Sequence, residues 1–187
     1  VATLMSFFAG VAFYAHWLAV LLYMIEIWNY GIIKAGLLLT IMPASMSLLA
    51  TTFGRTSDRY GFRPVVIPGI IVYSLLFLLF WIWANSQESL GFVIPALIGS
   101  GIGMATVWPT LTAIGGRGTP ERLLGSATSV IHTIQRVGGA LGIAIVLAVI
   151  NSVGEPNSLI SHRSALLVMP IAGSCTFICA LFLKKST

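Results

Sequence analysis

Six long apolar runs, separated by short polar stretches, constrain this chain more than any other feature. They cover about Leu4 to Ile27, Ala35 to Phe53, Val65 to Trp83, Leu90 to Ile114, Leu124 to Ile150, and Ala165 to Leu183. A helix needs about 20 apolar residues to cross the hydrocarbon core of a bilayer. Inside that core no water satisfies backbone N–H and C=O groups, so a spanning segment must pair them internally, as a helix does. Only 8% of the 187 residues are charged, against about 25% in soluble domains. These runs exclude a water-soluble core, a disulfide-stapled secreted module and a disordered tail. The expected fold is an all-α membrane protein with six transmembrane helices.

The loops predict orientation. Arg55, Arg59, Arg63, Arg117, Arg122, Lys184 and Lys185 fall on one side, and only Lys34 and Arg163 on the other. Cytoplasmic loops carry the excess of Lys and Arg, so both termini of this segment are expected in the cytoplasm, with the chain in the cell membrane. The net charge of +5 resides in these loops, which argues for topology and the lipid bilayer and against nucleic acid as a partner. Cys175 and Cys179 are four apart in the last run, the spacing of helix neighbours, and with no nearby His they read as packing residues, not a metal site. The sequence starts at Val1 and enters an apolar run almost at once. The expectation is the back part of a longer protein.

The stretch Gly54-Arg55-Thr56-Ser57-Asp58-Arg59-Tyr60-Gly61-Phe62-Arg63 joins the second and third runs. Gly54 is expected to let helix ends approach, and Gly61 to permit a tight reversal. Asp58 suits the positive end of a helix N-terminus, and Arg59 and Arg63 can pair with Asp58 or with anionic headgroups. With Gly54, Asp58, Arg59, Gly61 and Arg63 in place, the run resembles the loop between the second and third helices of each six-helix half in the major facilitator superfamily. Phe62 stands where members of that superfamily often carry a basic residue. Further along come Gly99-Ser100-Gly101-Ile102-Gly103, Trp108-Pro109-Thr110-Leu111-Thr112 and Thr133-Ile134-Gln135-Arg136-Val137-Gly138-Gly139-Ala140-Leu141-Gly142. That succession is similar to the closing half of the fourteen-helix drug:proton antiporters. The resemblance implies that residues 1–187 form a C-terminal six-helix bundle built as an inverted three-plus-three repeat. It also implies a small-molecule substrate, protons, and a cavity shared with an N-terminal part of six or eight helices, or with a second copy.

Charged groups at membrane depth mark the candidate site. Arg136 lies 12 residues into the fifth run, roughly 18 Å along a helix rising 1.5 Å per residue. It has three readings: a cavity-lining cation, a snorkelling side chain, or a hydrogen-bond donor to a neighbouring helix. Thr128, His132, Gln135, Gly139 and Gly142 share one face, polar and then small. In the first run Ala12, His16, Ala19, Tyr23 and Glu26 also share a face. His16 and Glu26 are either proton carriers or, respectively, an interhelix His and a carboxylate among the outer headgroups. Gly99 with Gly103, and Gly138 with Gly142, have the spacing that lets helices pack closely. Pro43, Pro95, Pro109 and Pro170 are candidate kinks.

No phosphate-binding loop, H-E-x-x-H motif or G-x-S-x-G elbow is present in the sequence. An enzyme is not expected, nor a cofactor. The resemblance implies secondary active export of small lipophilic compounds in exchange for protons. The alternative is a membrane structural or interaction protein, or a truncated product, that does not transport.

Overall fold

The computed structural model describes residues 2–116, 119–153 and 158–182. Arg117, Lys184, Lys185 and the stretch Gly154-Glu155-Pro156-Asn157 between the fifth and sixth runs lie outside the described residues. Among the described residues six helical stretches are long and apolar enough to cross a membrane. Span one is α1 (Ala2–Leu22) and a π-helical turn, Tyr23–Ile27; span two is α2 (Ile32–Leu39) followed by α3 (Ile41–Tyr60). Spans three and four are α4 (Arg63–Trp83) and α5 (Leu90–Gly116). A single 3-10 turn, Glu121–Leu123, leads into α6 (Leu124–Ser152), and span six is α7 (Leu159–Leu166) with α8 (Val168–Leu181).

The two divided spans share one cause. Proline has no N–H to give to the carbonyl four residues back. Pro43 leaves Leu39 without that donor, and α2 ends at Leu39; Pro170 leaves Leu166, and α7 ends there. Pro68, Pro95 and Pro109 sit within helices that continue through them.

Helices outlast the apolar runs that announced them. α3 continues through Arg55, Asp58 and Arg59 to Tyr60, so the expected ten-residue connection shrinks to Gly61 and Phe62. Gly61 makes the reversal at φ 88°, a backbone region that glycine enters freely. Two expectations are corrected here. Asp58 stands in the last turn of α3, not at a helix N-terminus, and nothing approaches within 4 Å of a Cβ placed on Gly54. Span six starts at Leu159, not Ala165, because the Ser158 hydroxyl accepts from the Ser161 N–H at 3.2 Å and caps the helix. Arg163 is therefore helical; its Nε donates to the Trp81 carbonyl at 3.0 Å and its Nη2 to that of Ile82 at 3.2 Å.

Packing follows a two-fold logic. α1 lies along α6 as α5 lies along α3, α1 meets α8 as α5 meets α4, and α4 and α8 touch each other. Exchanging spans one to three for spans four to six maps each contact onto another. An odd number of crossings separates the exchanged helices, so the repeat is inverted, as the three-plus-three arrangement requires. Glycine makes the α1–α6 crossing possible. The Gln135 carbonyl oxygen sits where a Cβ on Gly10 would be, and the Phe7 carbonyl oxygen where one on Gly138 would be.

The end of the bundle away from the Gly61–Phe62 connection is tied by side chains. Tyr23 and Trp28 both donate to the Asn85 carbonyl, at 2.7 Å and 3.1 Å. Tyr30 donates to Glu88 at 2.7 Å, and Lys34 lies 3.5 Å from the same carboxylate. Burial first, and the Glu88 contact second, raise the Tyr30 hydroxyl above its ordinary pKa and keep it a donor. Tyr23→Phe should cost about 1 kcal/mol, the net worth of one hydrogen bond, because Trp28 still serves the carbonyl. Thermal unfolding of Tyr23→Phe, Trp28→Phe and the double variant checks this; the double variant should lose more than the two singles combined.

Candidate substrate-facing surface

The buried side of α6 carries Ile131, Gln135, Gly138, Gly139, Gly142 and Val146, and it faces α1. To one side of that seam, Leu141 and Ile145 join Phe7, Phe8 and α8 residues around a wholly apolar groove of about 230 Å³. A helix advances about 100° per residue, which turns His132 and Arg136 to the opposite side. Tyr14 packs against Gly139 on that side. Half-buried Phe13 and Trp17 continue the surface, and Phe13 meets Trp108 of α5 at a ring separation of 4.9 Å. The result is an aromatic floor beneath a polar wall. Across the bundle, α3 turns Ala44, Ser47, Thr51, Thr52 and Arg55 outward, away from α5.

Arg136 stands at the middle of the Glu121–Ser152 span. It is exposed and has no hydrogen bond or ion pair among the described residues. His132 is also exposed, and its Nδ1 donates to Gln135 Oε1 at 3.0 Å. Gln135 itself is buried against α1, with its Nε2 lacking any partner. A buried donor left unpaired costs about 1–3 kcal/mol, so this amide calls for an acceptor next to the polar wall.

The other sequence candidates lie elsewhere. His16 is buried with both ring nitrogens unpartnered, and its ring meets Phe77 of α4 at 4.8 Å. Its companions Ala12, Ala19 and Tyr23 are buried too, so that stripe faces the core. Glu26 lies at the end of span one, with its Oε2 2.7 Å from Nε2 of His162. At the opposite end Arg63 Nη2 donates to the Leu181 carbonyl at 2.6 Å, closing the last turn of α8. Arg59 lies over the Tyr60 ring at 5.4 Å. Neither arginine pairs with Asp58, which is exposed.

Two features escaped sequence reasoning. His162 precedes the expected start of span six; Ser158, an N-cap residue followed at once by Leu159 and Ile160, was the available signal. Trp17 and Trp108 lie within apolar runs, where an aromatic side chain gives no sign of the neighbour it meets. Cys175 and Cys179 are free thiols. Among the described residues no group of His, Cys, Asp or Glu stands ready to hold a metal ion.

In this bundle of three helices repeated in inverted order, α3 and α6 are left the most exposed. The sequence profile of the Major Facilitator Superfamily matches residues 2–187. The chain belongs to this superfamily. Its sequence is 29% identical over 170 residues to the Lincomycin resistance protein LmrB of Listeria innocua, covering 82% of this chain and 36% of that protein. It is 27% identical over 150 residues to the Multidrug transporter protein MdtP of Bacillus subtilis, covering 80% and 27%. It is 28% identical over 163 residues to the MFS antiporter QDR2 of Candida albicans, covering 87% and 29%. The chain thus spans about a third of the length of these relatives. Membership places it in a transporter family, not among enzymes, and with six candidate spans among the described residues makes it a multi-pass membrane protein.

Proposed function

We propose that this superfamily member is the C-terminal half of a secondary active transporter that exports small lipophilic compounds in exchange for protons. The observation that carries the reading is Arg136. An arginine facing lipid at mid-span costs about 2.5–3.5 kcal/mol on insertion scales, so an unpaired one belongs against a watery cavity or an anionic group. Alternating access would then rock this bundle against an N-terminal part of six or eight helices, or against a second copy. The His132–Arg136 wall and the Phe13, Trp17 and Trp108 floor would face the compound. Asp58 and Arg59, exposed at the end of α3, are free to contact the opposite bundle in one of the two states. The loop charges support both termini in the cytoplasm of a cell-membrane protein.

The test is drug-dependent proton movement in proteoliposomes that hold this chain alone or the chain extended upstream of Val1. Movement only with the extension supports a two-part cavity. Movement with the short form assigns the second wall to another copy. Silence in both, with protein correctly inserted, overturns transport.

A further inference from the structure

Glu26 and His162 meet where span one ends. The π-helical turn Tyr23–Ile27 is wider than a regular turn and sets Glu26 against α7. His162 is buried on α7, at 1% side-chain exposure, while Glu26 keeps 28%. The His162 Nδ1 lies 3.1 Å from the Ser158 carbonyl oxygen and 3.4 Å from Ser161 Oγ. A carbonyl only accepts, and the Ser161 hydroxyl already donates to that same oxygen at 2.8 Å. Nδ1 therefore carries a hydrogen. Nε2 lies 2.7 Å from a Glu26 carboxylate oxygen, so with no proton on the pair two electron-rich atoms would be in contact. A proton shared by the pair turns that contact into an attraction.

We propose that Glu26 and His162 form a proton-binding site that fastens the outer end of span one to α7 when occupied and releases it when empty. The proton comes from the outer aqueous phase through the exposed edge of Glu26, and returns there. The charged neighbours at this end are already engaged. Arg163 on α7 serves the Trp81 and Ile82 carbonyls, and Lys34 on α2 faces Glu88 on the stretch before α5. Tyr23, on the same turn as Glu26, donates to Asn85, and Tyr30 donates to Glu88. The outer ends of α4, α6 and α8 carry no titratable side chain among the described residues. The site holds its proton whatever the chain transports, so the inference goes beyond the transport reading.

The test follows the distance between spin labels at Asn29→Cys and Ile160→Cys, both exposed positions, in the intact protein with Cys175 and Cys179 replaced by serine. The expected result is a separation that widens as pH rises. Glu26→Gln keeps the shape and can donate to a neutral Nε2 through its amide N–H or accept from a protonated one through its amide oxygen, so its labels should stay close throughout. His162→Gln should lose the pH response as well, with thermal unfolding confirming that each variant is folded. A wild-type separation that ignores pH overturns the proposal. So does a pH response that survives in folded Glu26→Gln. No transported compound is needed, so these outcomes stand apart from success or failure of the transport assay.

Discussion

Gly138→Val in α6 is expected to drive α1 off α6 and to leave little folded protein. The Phe7 carbonyl oxygen occupies the place a Cβ would take, with the carbonyl carbon and Cα of Phe7 close behind. These are backbone atoms, which cannot swing aside as the tip of a side chain can. Overpacking a tight interior costs about 1–3 kcal/mol even where side chains give way. Here the whole of α1 must move, along the most extensive helix seam in the bundle. The same helix brings Met5, Ala9, Ala15 and Ala19 to the core, so its displacement opens the interior too. Gly125→Ala, on the same α6, is the control. Nothing lies within 4 Å of its added Cβ, and removing a helical glycine gains roughly 0.5–1 kcal/mol. The check is the fraction of monodisperse protein left in detergent after a graded heat step. Gly138→Val surviving as well as wild type would mean that α1 and α6 do not cross as described.

The contrast between those two glycines shows where sequence reading stops. Spacing alone picked out Gly138 and Gly142 as a close-packing pair, and α1 presses on both. The number and order of spans were legible because hydrocarbon imposes a length and forbids charge. Helix ends were not, since charge ends a hydropathic run without ending the helix. α3 therefore continues to Tyr60, and α7 starts before Arg163. Periodicity showed that His16 and Tyr23 share a face, but not which neighbour that face meets. The face meets the core. Likewise the Thr128-to-Gly142 stripe parts at Gln135, which with the glycines faces α1, while His132 stays outside with Arg136. The Glu26–His162 contact joins side chains 136 positions apart, beyond the reach of any local pattern.

Arg136→Ala is expected to cut export steeply in the full-length protein while expression and heat stability remain near wild type. Stability should hold because the guanidinium touches no described partner, so the substitution removes neither packing nor a hydrogen bond from this half. Export should fall because a hydrogen bond to a charged group is worth about 1.5–3 kcal/mol, and each 1.4 kcal/mol is a factor of about ten. A loss of tenfold to a hundredfold in transport rate at limiting substrate is the expected range. Arg136→Lys keeps the charge but lacks the planar fork that grips a carboxylate through two parallel bonds. It should therefore retain export between the wild-type and alanine levels. The three readings of this arginine then separate cleanly. A cavity cation loses export and keeps stability. A donor to a neighbouring helix, which in this bundle no described residue provides and which the proposed second bundle would supply, loses both, because that helix would lose its anchor. A snorkelling side chain loses neither, since alanine at mid-span sits more comfortably in lipid than arginine does. Unchanged export with unchanged stability would thus remove Arg136 from the site and leave His132, with Gln135 behind it, as the polar group above the aromatic floor.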